Sequence, residues 1–250
     1  MLAIGLVGLG GTMIWKRGDP RYLIAVVIGC LIAVATRHYA GWFLIAASAA
    51  IVLHAGLRAE NREKIGALGL VALVVLFAAI AAPTVLNAST NENLKKHLQG
   101  SQEANATDNS NLSLEQVDFS TRGAIVRNLP KRSLDVLLRP FPWQLGNISQ
   151  GLGLLGTAAA YLAIFFLIRQ GFRNRGRIME RAGPLIYLTF FLLVAYSLSS
   201  GNAGTSFRYR VQIVSLFICL IAALWWPAER RRSVEVAASA EPAPMEPVQA

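Results

Sequence analysis

Seven apolar runs, each closed by charge or by Gly/Pro punctuation, restrict what this chain can fold into more than any other feature. They span Leu2–Trp15, Tyr22–Thr36, Tyr39–Leu57, Ile65–Leu86, Ile148–Ile168, Leu185–Ser199 and Val211–Ala228. A helix needs about 20 apolar residues to cross the hydrocarbon core of a bilayer. The third, fourth and fifth runs reach that length, and the sixth and seventh do so with their flanks. The first two, at 14 and 15 residues, fall short. With 54% hydrophobic and 15% charged residues in 250, a water-soluble domain could not cover its apolar surface. The expected fold is therefore all-α: a polytopic transmembrane helix bundle of about seven spans, two of them short. Residues 1–86 would hold helices one to four, 87–147 a long extracytoplasmic loop, 148–228 helices five to seven, and 229–250 a disordered tail rich in Pro, Ala and Glu. The first run lacks a basic flank and a small-residue cleavage site, so it does not read as a signal peptide. It reads as the remainder of a helix, and the chain as the later portion of a larger membrane protein.

The net charge of +10 would point to nucleic acid in a soluble protein. Here the cations sit in loops beside apolar runs, where orientation and anionic headgroups account for them, and no nucleic-acid partner is expected. Lys16, Arg17 and Arg21 follow the first run, and Arg58, Arg62 and Lys64 follow the third. Arg169, Arg173, Arg175, Arg177 and Arg181 lie between the fifth and sixth, and Arg230–Arg232 follow the seventh. These clusters occupy every second loop, so one alternating arrangement puts all of them in the cytoplasm and the N-terminus outside. The lipid bilayer is therefore the first expected partner.

That topology leaves three outward pieces: the turn at Arg37-His38, the loop Gly201–Arg210, and Asn87–Asn147. The first half of the last, Asn87–Asp118, is rich in Asn, Ser and Thr and reads as solvated loop. Its Asn-x-Ser/Thr triplets, and the one at Asn147, are the chance products of such composition. The second half, Phe119–Asn147, sets Arg122, Arg127, Lys131, Arg132 and Arg139 against the single Asp135, with apolar residues interleaved. Ser133 is placed to cap a short helix through Arg139, stopped by Pro140, and "RPFPW" to lead stiffly into the fifth run. Such a segment should lie in the interface, apolar face down.

Outward arginines oppose the topology rule and need another reason. Arg37, Arg208 and Arg210 stand at the outer ends of hairpins, with Arg127, Arg132 and Arg139 able to fold over them. Guanidinium groups bind phosphate through paired donors, so an anionic lipid-linked substrate is one reason; independent headgroup contacts are the other. Two arginines at i and i+2 face one anion only on a broken or extended backbone, so a helix break is expected near Thr205–Tyr209. His38 is a general-base candidate beside them. No Asp or Glu lies in any run, which speaks against an ion-coupled transporter. His54 is expected to pack or reach the interface. Phosphate-loop, dinucleotide and metal-ligand spacings are absent, so no cofactor and no metal are expected. Cys30 and Cys219 sit in apolar runs and form no disulfide framework.

The stretches "LPKRSLDVLLRPFPWQ" (Leu129–Gln144) and "GNAGTSFRYRVQ" before the last run, with the basic loop between them, resemble bacterial polytopic membrane proteins of exopolysaccharide and O-antigen clusters. The likeness, to polysaccharide polymerase-like proteins, spans Val117–Trp226. It implies an integral multi-pass component of a bacterial plasma membrane, acting in surface-polysaccharide assembly and binding a polyprenyl-phosphate-linked glycan at the outer face. Polymerase or glycosyl-transfer activity would then be its chemistry, other envelope glycan-assembly proteins its partners, and Arg208 and Arg210 its substrate ligands. The chain is shorter than complete polymerases. A truncated form, a non-enzymatic multi-pass subunit, or a transporter or lipid flippase are the alternatives.

Overall fold

The computed structural model describes residues 1–57, 122–139, 141, 148–199 and 203–225. Among these the chain is all-helical, with no strand. Its helices are α1 (Leu2–Arg17), α2 (Leu23–Thr36), α3 (His38–Leu57), α4 (Arg122–Leu138), α5 (Ile148–Arg173), α6 (Ile178–Ser199) and α7 (Ala203–Trp225). Three are long and apolar enough to cross a membrane, over Ala40–Leu57, Ile178–Ser199 and Ser206–Trp225. The helices α1 and α2, of 16 and 14 residues, rise only about 24 and 21 Å, less than the ~30 Å of a hydrocarbon core. The run Ile65–Leu86, the loop Asn87–Asp118 and the tail after Arg232 lie outside the described residues.

Local chemistry sets the first hairpin. Gly18 ends α1 in the left-handed region at φ 65°, its N–H donating to the Ile14 carbonyl. Asp19 then caps the Pro20–Tyr22 turn by accepting the Arg21 N–H at 2.9 Å. The two helices approach closely through glycine. A Cβ on Gly10 would stand 2.8 Å from Val26 Cγ2 and 2.9 Å from the Tyr22 carbonyl, and one on Gly29 would meet Val7 and the Ala3 carbonyl at the same two distances. Against this pair lies α3, which also packs on α6; α6 pairs with α7, and α7 with α5. The core between them holds Val7, Ile14, Leu44, Ile51, Leu188 and Ile213, all essentially buried.

The two ends of the bundle differ. At one, Trp15 Nε1 donates to the Glu180 carbonyl at 3.0 Å, with its ring over Gly183. His54 Nδ1 lies 2.8 Å from the Tyr187 hydroxyl, so this histidine is packed between aromatic rings rather than reaching out. Asn174, in the turn where Gly176 takes φ 83°, donates to the carbonyls of Gln170 and Leu224. This end gathers two of the four basic clusters expected to share a side, at Lys16–Arg21 and Arg169–Arg181; the other two lie outside the described residues. The opposite end carries Arg37, α4 and the start of α7.

Several expectations need correction. The helix over the basic segment starts at Arg122 rather than at Ser133, and it runs through Pro130. Ser133 is mid-helix, bonding back to the Leu129 carbonyl. The face it turns toward the bundle carries charge as well as apolar groups. Arg132, Asp135, Val136 and Leu137 are buried, while Val126 and Leu134 are exposed. This helix packs against α6 and α7 at an end that carries polar groups, with the Ser133 and Ser197 hydroxyls 2.9 Å apart.

Because α1 and α2 touch through backbone, Gly29→Leu should lower the thermal midpoint of the detergent-solubilised protein by several degrees, an overpacking cost of about 1–3 kcal/mol. Gly5, with nothing within 4 Å of its notional Cβ, should accept Leu without change. Scanning fluorimetry of the two variants checks this, and equal midpoints would contradict the close pairing.

Candidate functional site

The site grows from a shortage of donors at the end of α4. In a helix, the carbonyl of residue i accepts from the N–H of residue i+4. The partners of Val136 and Leu138 would be residues 140 and 142, and both are proline, with no N–H to give. Their carbonyls must find donors elsewhere. Arg210, from the second turn of α7, supplies the first: its Nε donates to the Val136 carbonyl at 3.1 Å. Its two terminal nitrogens donate to the Arg139 carbonyl and, at 2.6 Å, to Thr157 Oγ1 on α5. The Tyr161 hydroxyl supplies the second, donating to the Leu138 carbonyl at 3.3 Å. One guanidinium thus ties α4, α5 and α7 together at the negative end of the α4 dipole. It also lies 5.0 Å from the Phe207 ring centroid.

Around this staple the bundle end is unusually charged. Arg132 and Arg210 are 1% and 2% exposed, and Asp135 is 6% exposed. Arg139 Nε lies 3.1 Å from Asp135 Oδ1, one helical turn away. The Ser133 and Ser197 hydroxyls are 2.9 Å apart, joining α4 to α6. Beside them Tyr196 and Tyr209 stack at 4.3 Å with 6° between planes, and the Tyr196 hydroxyl bonds Gln212 Oε1. The Arg37 guanidinium, from the extended joint between α2 and α3, lies 5.0 Å from the Tyr209 ring centroid. Four arginines (Arg37, Arg132, Arg139 and Arg210) therefore lie at the same end of the bundle as Asp135. Arg37 Nη1, Asp135 Oδ2 and Ser199 Oγ are buried there with no hydrogen bond among the described residues.

The sequence-predicted residues are only partly brought together. No break occurs near Thr205–Tyr209, because α7 is helical from Ala203 onward. Arg208 and Arg210 consequently diverge: Arg208 is exposed and Arg210 buried, so the two do not fork around one anion. On the continuous helix Tyr209 stacks on Tyr196 and Phe207 lies against the Arg210 guanidinium. Arg127 is exposed on the first half of α4, away from the buried group. His38 opens α3, and its side chain lies outside the described ones. Arg139 meets Arg210 through its carbonyl, and Arg37 and Arg132 lie at the same end of the bundle. Sequence reasoning missed Asp135, Thr157 and the Tyr196–Tyr209 pair. For Asp135 the signal was present, as the lone acid of a basic stretch, four residues before an arginine. Among the described residues, no group of three or more His, Cys, Asp or Glu could hold a metal ion.

No family model, curated protein or solved structure matches this chain. The chemistry of the site therefore follows from its own residues.

Replacing Arg210 should release α4 from the bundle, since each charged hydrogen bond lost costs about 1.5–3 kcal/mol. Arg210→Lys should be nearly as damaging as Arg210→Gln, because a point charge cannot serve three acceptors spread over two helices. Thr157→Val, which removes one acceptor, should be milder. Spin labels at the exposed positions Leu134 and Phe190 would report this as a broadened distance distribution. An unchanged distribution in Arg210→Lys would show that the staple does not hold α4.

Proposed function

We propose that this chain is a polytopic bacterial plasma-membrane protein that binds the phosphate or diphosphate of a lipid-linked glycan at its Tyr209 end, during surface-polysaccharide assembly. The observation that carries the reading is the excess of buried positive charge at one end of an apolar bundle. Among the described residues, the buried Arg132 and Arg210 and the half-buried Arg37 and Arg139 stand at one end with the single carboxylate of Asp135, and a buried excess of cations is costly without a counter-anion. A phosphate group supplies that anion and accepts paired donors from guanidinium groups. In this reading Arg37, Arg132 and Arg139 meet the anion, the exposed Arg208 guides it in, and Arg210 holds the structure that positions them. The lipid tail stays in the bilayer against the apolar outer faces, such as Phe165 and Ile218. The surface-polysaccharide context is supported by the resemblance of Leu129–Gln144 and Gly201–Gln212 to polymerase-like proteins.

The orientation follows the basic loops. With Lys16–Arg21 and Arg169–Arg181 in the cytoplasm, the arginine cluster faces outward, where lipid-linked glycans are elongated or transferred. In cells expressing a variant without Cys219, a cysteine at Arg127 should react with a membrane-impermeant thiol reagent. A cysteine at Arg175 should react only after lysis. Labelling of Arg175 in intact cells would reverse the orientation and remove the outward site.

Access to the anion requires α4 to lift from α6, since the polar atoms beneath it are buried. The Ser133 and Ser197 hydroxyls, 2.9 Å apart, mark a position where two cysteines could cross-link. Ser133→Cys with Ser197→Cys should, when oxidised, block binding of undecaprenyl diphosphate to the nanodisc-embedded protein, and reduction should restore it. Binding of the wild-type protein no tighter than that of an Arg37→Gln/Arg139→Gln variant would refute the reading.

A further inference from the structure

The carboxylate of Asp135 has no task in the anion site just described, and a carboxylate there would weaken it. It is nonetheless buried to 6% exposure among arginines. Its Oδ1 is engaged by Arg139 at 3.1 Å, while its Oδ2 is buried with no hydrogen bond among the described residues. A buried carboxylate oxygen with no donor is expensive, so its retention inside the site calls for a donor that arrives with the ligand. The surroundings limit what that donor can be. Arg139 on one side, Arg132 one turn earlier on the same helix and Arg210 on the carbonyls of Val136 and Arg139 create a positive environment. A metal ion or an ammonium group would be repelled there. An ionised carboxylate only accepts, so the ligand must bring a neutral donor, and a hydroxyl is the compact one.

We propose that Asp135 is the hydroxyl-accepting residue of this site, taking a hydroxyl of the first sugar next to the phosphate through Oδ2. The inference rests on the anion-binding reading above and adds selectivity to it. The arginines hold the charge common to every lipid diphosphate, and Asp135 separates sugar-bearing lipids from bare ones. The carboxylate's cost to phosphate binding is then offset only by a ligand that carries hydroxyls. A site built to bond a hydroxyl discriminates against the ligand that lacks it, because its own polar group is left unpaired.

The test uses the full chain in nanodiscs and two probes: undecaprenyl diphosphate, and undecaprenyl diphosphate bearing one hexose. The wild-type protein should bind the hexosyl lipid about tenfold tighter or more, the scale of one charged hydrogen bond. Asp135→Asn, of the same shape, should erase that preference while binding the bare diphosphate as well as or better than wild type. Arg139→Gln should weaken both probes in parallel, keeping the preference. If the preference survives in Asp135→Asn, or if that variant loses both probes in parallel as Arg139→Gln does, Asp135 is structural and the inference is overturned while the anion site stands. If the wild-type protein binds neither probe, the anion site itself falls, and with it the role of Asp135.

Discussion

The arrangement at the Tyr209 end depends on two N–H groups that prolines remove. Residues 140 and 142 strip the last turn of α4 of the donors its carbonyls need, and no continuing helix can replace them. Arg210 and Tyr161 take over from two different helices, so the end of α4 is defined by tertiary contacts rather than by its own cap. This explains why an arginine sits one turn inside an apolar helix, where its cost would otherwise be several kcal/mol. It also explains its depth: to reach Val136, Arg139 and Thr157 at once, the guanidinium must enter the bundle. The same geometry directs Arg208, two residues earlier, to the other side of α7 and out of the interior.

Once Arg210 is committed to carbonyls, its charge is not neutralised, because neutral acceptors share hydrogen bonds without cancelling charge. Arg132, Arg139 and Arg37 add to it, and Asp135 subtracts one. Stacking of the Arg37 guanidinium over Tyr209, itself stacked on Tyr196, holds the fourth cation at low entropy cost in an aromatic setting. An end built this way favours an anion more strongly than the same residues would in water, since the surrounding apolar helices offer little screening.

Much of this was legible in the sequence, and the failures have physical causes. Apolar runs give helix positions well, because only helices satisfy their backbone without water; the described runs all fall in helices. The sharing of one end by Lys16–Arg21 and Arg169–Arg181 was also readable from loop alternation. The helical break near Thr205–Tyr209 was wrong because it was inferred from a presumed shared ligand. Tyr209 buries in the continuing helix, and Gly204 lies within α7 rather than in a turn. The role of Arg210 was readable from the prolines: counting four residues back from Pro140 identifies Val136 as a carbonyl without a donor. What no pattern in the sequence announces is which helix answers that need. Which side chains α4 turns into the bundle is likewise not announced by its own sequence. Its partner is a polar bundle end, so charge turns in and Val126 and Leu134 turn out.

The two halves of the molecule are held by different forces, and this decides which part can move. α1, α2 and α3 meet through Gly10, Gly29 and Gly41, where backbone lies within van der Waals distance of side chains or backbone of the next helix, so any shift is opposed at once by steep repulsion. α4 instead rests on a few directional links, Ser133 to Ser197, Tyr161 to Leu138 and the Arg210 staple, with Val136 and Leu137 as its buried apolar anchors. Hydrogen bonds of this kind exchange for bonds to a ligand or to water at modest net cost, whereas the glycine contacts have no substitute. Of the described helices, the one that covers the charged end is thus the least firmly locked by packing. The staple sits at the carboxyl end of that helix, so its amino-terminal half, with Arg127 exposed, has the longer lever. A ligand that pairs with Arg132 and Asp135 beneath α4 would replace the polar links that close it, which couples occupancy of the site to the position of a single helix.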